Sequence, residues 1–373
     1  GAPNSADLTW ERTEQYNLGL DLGLWNDRLQ FTGEAYIRDT KDMLTEGIKL
    51  PSLYGATAPK QNTADLRTKG YELSLTWKDS FKLGAKPFGY FFRATLSDYD
   101  SEITKYDNPN KTFAKDYYVG EKIGEIWGFV ANDLFQTDEE AQEYASQVNL
   151  AYVNGKITNG KWAAGYLKYE DLDGDQTIGI GANTVDDPGD RKILGNSLPH
   201  LQYGLTLGAD YAGFDFQIFF QGTGNHYWYP EYRSFAFWGP FSQPMTSYLP
   251  KNFIDQCWDY DNTDAYFPRT VAYLAYNGKG QLRYVNTRYL QNVRYLRLKN
   301  LTVGYTLPKK VSKVVGLSSA RVYFTGENLE YWSPLKKHSI YVDPEGALNR
   351  DGSYNRMFYP WQKSYMFGID IKF

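Results

Sequence analysis

The feature of this sequence that most restricts its fold is a strict alternation of apolar and more polar residues, which recurs in nine stretches. In the last stretch, Tyr365, Phe367, Ile369, Ile371 and Phe373 occupy every second position. Because successive side chains point to opposite faces of an extended strand, each stretch predicts a strand with one apolar and one polar face. The other eight stretches are 15–24, 29–37, 71–77, 90–96, 203–211, 214–220, 301–307 and 322–328.

The lengths of the connections between these stretches distinguish two kinds of β fold. A water-soluble sandwich also alternates, but it has no reason to collect its long loops at one end. If Phe373 ends a strand on the periplasmic side, the short connections 25–27, 79–86, 212–213 and 308–319 become periplasmic. The long connections, about 44–64, 103–198, 224–292 and 331–363, become extracellular. This arrangement is typical of transmembrane barrels, so we predict an all-β fold, an antiparallel transmembrane β-barrel.

Composition agrees with this fold and excludes other classes. Aromatic residues make up 17% of the 373 residues, as expected for aromatic girdles around a barrel wall. The mean hydropathy is −0.57 and no run approaches the roughly 18 apolar residues of a membrane-spanning helix. A formal net charge of −4 without a basic run argues against nucleic acid and against an anionic-lipid partner held by electrostatics. The single cysteine, Cys257, is predicted to be an unreactive, partly buried side chain.

The number of predicted strands indicates that this chain is part of a larger barrel. Bacterial barrels close with an even number of strands, and an open edge would expose unpaired backbone groups to lipid. Nine strands therefore require partners from another segment. We therefore expect a fragment. Residues 1–5 lack the charged and apolar regions of an export signal, so either a signal was removed or this is an internal piece.

Several segments taken together resemble a known family. They are 5–44, 68–77 (TKGYELSLTW), 120–137 (GEKIGEIWGFVANDLFQT), 169–195, 213–222, 295–308 (YLRLKNLTVGYTLP), 320–329 and 359–373. They resemble the C-terminal half of SusC/RagA-type TonB-linked outer-membrane transporters.

The resemblance implies a large, plugged barrel of about 22 strands, of which residues 1–373 are the C-terminal part. The plug, the N-terminal strands and the segment that contacts TonB would precede Gly1. The resemblance also implies an outer-membrane location, a SusD-like surface lipoprotein as a lid, and TonB-dependent import of a nutrient oligomer, either a glycan or a peptide.

One acidic segment predicts a candidate calcium site. Asp171, Asp173 and Asp175 occupy positions 1, 3 and 5 of a calcium loop, with Thr177 at position 7. Position 12 is Ala182, which is not a ligand, but the delayed Asp190 could replace it. The alternative is an acidic turn without an ion. No other cofactor is predicted.

The densest aromatic segment lies in a predicted extracellular loop. Exposed rings in water are costly, so they must be covered by the loop itself, by the lid or by a ligand. The candidates for substrate or lid contact are Tyr227, Trp228, Tyr229, Tyr232, Phe235 and Trp238.

The alternative function is an enzyme or an adhesin that uses a barrel as its platform. His200, His226 and His338 are the only histidines and all fall near the predicted extracellular rim, where a catalytic site could form. No motif accompanies them, so we predict no catalytic residues. The segment 137–140 before 141–148 predicts a capped surface helix.

Overall fold

A computed structural model describes residues 8–46, 53, 55, 59–114, 117–154, 161–232, 234–245, 247, 249, 251–276, 281–339, 342–348 and 361–373. Its strands are β1 (Arg12–Leu24), β2 (Leu29–Glu46), β3 (Lys60–Leu83), β4 (Lys86–Lys105), β5 (Glu125–Phe129), β6 (Asp133–Leu134), β7 (Leu167–Lys168), β8 (Arg191–Asn196), β9 (His200–Tyr211), β10 (Phe214–Asn225), β11 (Tyr227–Trp228), β12 (Gln291–Asn292), β13 (Tyr295–Thr306), β14 (Ser319–Trp332) and β15 (Ser364–Lys372). The α-helices are α1 (Asp138–Gln147), α2 (Phe235–Trp238) and α3 (Lys309–Val314). Short 3-10 turns span Gly239–Phe241, Ile254–Gln256, Gln281–Arg283, Pro334–Lys337 and Gly346–Leu348.

Nine of these strands form one sheet, in the order β1-β2-β3-β4-β9-β10-β13-β14-β15, and every neighbouring pair is antiparallel. Each of the nine contains one of the alternating stretches, so all nine predicted strands are confirmed. Because the sheet is a simple meander, connections alternate between its two ends. We call the end with connections 25–28, 84–85, 212–213 and 307–318 the short-turn end, and the opposite end the long-loop end.

The register places apolar residues on one face across the whole sheet. Residues that pair across antiparallel strands point to the same face. One such row runs Leu24, Leu29, Trp77, Phe92, Leu207, Ile218, Leu301, Gly326 and Tyr365. The adjacent row, one residue along each strand, runs Gly23, Gln30, Thr76, Arg93, Thr206, Phe219, Asn300, Glu327 and Ser364. The sheet therefore has an apolar outward face and a polar inward face, as a membrane barrel requires.

The apolar face is exposed rather than packed against a second layer. Leu18 is 78% exposed and Phe367 is 85% exposed, which no water-soluble sandwich could tolerate along an entire sheet. None of the helices in the described residues has the length and hydropathy needed to cross a membrane.

Aromatic pairs border the apolar face at the short-turn end. The rings of Trp25 and Trp77 lie 5.9 Å apart, and those of Phe214 and Tyr305 lie 4.5 Å apart. At the other border, the outward face of β2 and β3 becomes charged, and Arg67 pairs with Asp39 at 2.7 Å. An apolar band with such borders matches the hydrocarbon layer of a membrane.

Two turns show why the strands reverse where they do. Trp25, Asn26 and Asp27 all have positive φ, which Asn and Asp tolerate better than other residues. Ala212 and Gly213 also both have positive φ, as a two-residue type I′ hairpin requires. The turn predicted over 79–86 is shorter in the structure, because residues 79–83 continue the ladder and only 84–85 remain unpaired. Their mixed polarity hides this strand extension in the sequence.

Candidate functional site

The packed core of the described residues lies in the long loops, not in the sheet. Residues from loops 106–199, 226–294 and 333–363 form a single buried cluster. Its largest fully buried side chains include Tyr166, Tyr169, Trp238, Phe267 and Tyr289. The loops therefore make a folded cap of their own at the long-loop end, which gives the barrel mouth a defined surface.

An ion-pair network attaches this cap to the barrel wall. Arg297 of β13 is 2% exposed, and its Nη2 lies 2.5 Å from Asp343 in the last loop. Glu345 lies 2.7 Å from Arg297 Nε, without hydrogen-bond geometry, and 2.9 Å from Lys299 Nζ. Because a buried charge is costly unless it is paired, this network fixes the loop on the inward side of the wall.

The aromatic segment divides into buried and half-buried residues. Trp228 and Trp238 lie inside the cap core, and the Trp238 indole donates a hydrogen bond to Pro230 O at 2.8 Å. Tyr229 is half-buried, and its hydroxyl lies 2.7 Å from Leu282 O and accepts a hydrogen bond from Asn286. Packing within the loop therefore covers Trp228 and Trp238 in this conformation.

The remaining aromatic candidates keep part of their side-chain surface exposed. Tyr227, Tyr232 and Phe235 are half-buried. The Tyr227 side chain packs over Gly195, where a Cβ would lie 2.7 Å from the ring. The rings of Tyr232 and Tyr276 lie 5.8 Å apart. Contact of these residues with a ligand or a lid stays a prediction.

The acidic loop brings three of its predicted ligands together. Carboxylate oxygens of Asp171, Asp173 and Asp190 lie within 4.8 Å of one another. Backbone N–H groups donate to all three, including Leu172 N to Asp190 Oδ1 at 2.7 Å. Burial, together with the charges of Asp173 and Asp171, raises the pKa of Asp190, and a cation would relieve this repulsion.

The two other predicted ligands serve the turn. Asp175 Oδ1 accepts the N–H of Thr177 at 2.7 Å, and this carboxylate is outside the group of three. A carboxylate oxygen can accept an N–H and also contact a cation, so the geometry fits both an ion site and an acidic turn. Calcium binding therefore stays a prediction.

The predicted capped helix is confirmed. Thr137 precedes α1, and its hydroxyl accepts the N–H of Glu140 at 3.1 Å. Glu140 in turn accepts from Gln136 N at 2.8 Å. These bonds satisfy donors that the first turn of a helix leaves free.

The three histidines occupy separate environments. His200 Nδ1 lies 2.8 Å from Asp98, while His338 stacks on Tyr266 with 3.5 Å between ring centroids. Burial lowers the pKa of His226 to about 4 and that of His338 to about 4, so both are neutral near pH 7. Burial also raises the pKa of Cys257 to about 11, which makes it an unreactive thiol.

Comparison with known proteins extends over nearly the whole chain. No family model matches it. The TonB-dependent receptor SusC of Bacteroides thetaiotaomicron is 28% identical over 372 residues, covering 98% of this chain and 32% of the relative. TonB-dependent receptor P3 of Formosa agariphila is 24% identical over 387 residues, covering 98% of this chain and 34% of the relative. This chain is similar to TonB-dependent receptors over nearly its whole length.

Solved structures show the same fold. The RagAB peptide importer in its open-open state matches 100% of this chain and 36% of the solved chain, with 21% identity and a TM-score of 0.69. Its closed-closed state matches with 23% identity and a TM-score of 0.64. The predicted fold class, a segment of a TonB-dependent transmembrane barrel, is confirmed, and so is the predicted outer-membrane location.

The comparisons also bear on the two functional alternatives. The relatives are receptors and importers, so the prediction that the chain is not an enzyme is confirmed. This chain spans about a third of the length of the relatives it matches.

Proposed function

We propose that the protein containing this chain imports a nutrient oligomer, a glycan or a peptide, across the outer membrane in a TonB-dependent manner. A SusD-like surface lipoprotein would close over the long-loop end. The observation that supports this most is the combination of a two-faced barrel wall with a folded cap, in a chain that is similar to SusC and to the RagAB importer over at least 98% of its length.

The inward face suits a plugged passage. It offers hydrogen-bonding groups along its length, such as Thr32, whose hydroxyl donates to Asp21 at 2.7 Å. Arg93 and Glu327 lie in the same polar row of the sheet. Such groups can hold a plug through hydrogen bonds and still leave a wet path when the plug moves.

The surface of the cap suits a lid. Met245 is 92% exposed and Ile254 is 61% exposed, and both belong to the loop that carries the aromatic segment. Exposed apolar side chains on a folded loop favour contact with another protein. Ligand would then bind between cap and lid, near the half-buried Tyr232 and Phe235.

The class of oligomer is part of the proposal. RagAB is a peptide importer, whereas SusC is described only as a TonB-dependent receptor. Aromatic and hydrogen-bonding groups suit both sugar faces and peptide side chains.

Purification of the full-length protein from its native outer membrane tests the proposal. We expect a lipoprotein to copurify, with an oligomer that mass spectrometry identifies as a glycan or a peptide. Cells should accumulate that oligomer, labelled, only when the gene is present and the proton gradient is intact. Surface binding without gradient-dependent accumulation would favour an adhesin and contradict import.

A further inference from the structure

A cavity lies on the outward face of the barrel, where the wall meets the loop cap. Its volume is about 620 Å³, within the range of ligand sites, which is about 300–1,000 Å³. We call it the outer-rim cavity. Its walls include Tyr203, Gly224, Arg294, Leu296, Trp332 and Lys336.

The register places this cavity on the membrane side of the wall. Tyr203 pairs with Leu96 of β4 on one side and with Gly222 of β10 on the other. Their row begins at Leu20 of β1 and includes Leu73 of β3. The same row continues to Leu296 and Trp332. Because paired residues share a face, Tyr203, Leu296 and Trp332 extend the apolar face at the long-loop end.

A glycine positions the Tyr203 ring in the wall of the cavity. A Cβ on Gly222 would lie 2.5 Å from the ring and the hydroxyl of Tyr203, so only glycine lets this ring lie across β10. The Tyr203 hydroxyl then donates to Tyr295 O of β13 at 3.0 Å. The Tyr203 ring, Leu296 and the exposed Trp332 side chain suit an acyl chain.

Two cationic residues, Arg294 and Lys336, line the cavity. Arg294 is exposed and has no carboxylate partner among the described residues. Lys336 and Lys363 share one carboxylate, Glu330, at 2.6 Å and 3.5 Å. Lys363 does not line the cavity, but it shares Glu330 with Lys336 and so leaves a local excess of positive charge. This local excess differs from the net negative charge of the whole chain. The loops bring these cations together from separate segments.

We propose that the outer-rim cavity binds a phosphorylated glycolipid of the outer leaflet. Arg294 and Lys336 would contact its phosphate, and Leu296, Tyr203 and Trp332 would contact an acyl chain. Charge complementarity supports this occupant, because guanidinium and ammonium groups are the preferred protein partners of phosphate. Continuity with the apolar face supports it as well, since tryptophan and tyrosine mark the headgroup level of a membrane. The proposal requires the barrel orientation, but not a particular import substrate.

The test uses the full-length protein purified in mild detergent and an acylated disaccharide glycolipid, with and without its phosphates. Native mass spectrometry measures the bound glycolipid for wild type, Arg294→Glu and Trp332→Ala. The matched control is Lys310→Glu, the same charge change on an exposed residue at the short-turn end.

We expect wild type and Lys310→Glu to bind the phosphorylated form equally well, and Arg294→Glu to bind it about tenfold more weakly. Trp332→Ala should weaken binding of both forms, and wild type should bind the phosphate-free form less. Equal binding of the phosphorylated glycolipid by Arg294→Glu and wild type would overturn the proposal. Complete displacement of the bound glycolipid by inorganic phosphate would overturn it as well. If Arg294→Glu does not fold, Trp332→Ala decides alone. Oligomer uptake in the same strains is a separate readout, so a failure of import does not affect this result.

Discussion

At the scale of single residues, close approaches across the sheet depend on glycine. Arg321 of β14 reaches over β13 to Asp215 of β10, with Nη2 2.6 Å and Nε 2.9 Å from its carboxylate oxygens. It also pairs with Asp370 of β15 at 3.1 Å. The bridge passes over Gly304, where a Cβ would lie 2.5 Å from Arg321 Nη2. One missing side chain thus lets four strands share one set of ion pairs.

We predict that Gly304→Ala destabilises the barrel by about 1–3 kcal/mol, the usual cost of overpacking, because Arg321 must leave Asp215. Gly19→Ala is the control, since a Cβ there meets nothing closer than 4.0 Å. Thermal loss of heat-modifiable gel mobility in the full-length protein measures the difference. Equal stability of the two variants would show that the bridge does not need the glycine.

Residue identities alone did not reveal these contacts. In the sequence, Gly304 occupies a polar position of an alternating stretch, and Gly222 lies in a segment that resembles a turn. Their roles depend on which strand lies alongside. Likewise Arg294 and Lys336 are far apart in the chain, and only the loop fold places them around one cavity. Pairwise chemistry between distant segments has no local sequence signal.

At the scale of elements, strands were predictable and loops were not. An alternation of period two is a local pattern, and it located all nine strands of the large sheet. The loops fold around aromatic residues from three separate segments, so the full burial of Trp238 and the partial burial of Phe235 could not be assigned in advance. Asp190 is an intermediate case. The sequence indicated its carboxylate as a possible calcium ligand, but only the fold shows that it lies near Asp171.

The acidic loop gives a prediction at this scale. If calcium binds, it should stabilise the folded form of loop 106–199 and so protect it from protease. At a calcium concentration a hundredfold above the dissociation constant, this stabilisation is up to about 2.7 kcal/mol. Asp190→Asn and Asp173→Asn should lose this protection, whereas the exposed Asp186→Asn should keep it. Chelator-treated full-length protein provides the baseline.

Two results would favour the ion-free acidic turn instead. One is the absence of any calcium response in wild type. The other is a response that survives both Asp190→Asn and Asp173→Asn, because the carboxylates would then not be ligands.

At the scale of the whole molecule, the central feature is the division of the sheet into two chemically different faces. Its outward face is apolar over nine strands and its inward face is polar over the same nine, while the packed core lies in the loops. A water-soluble protein would reverse this distribution and bury the apolar face. The outer-membrane location, the passage and the outer-rim cavity all follow from this division.

The most direct measurement is a spin-label scan along β13 in the full-length protein, reconstituted in lipid, after removal of reactive cysteines. Nitroxide labels at positions 300, 301, 302, 303 and 305 report collisions with oxygen, which concentrates in lipid, and with a water-soluble nickel chelate. We predict oxygen maxima at Leu301, Val303 and Tyr305, and chelate maxima at Asn300 and Thr302. Accessibility without a period of two, or with the two phases exchanged, would contradict the account.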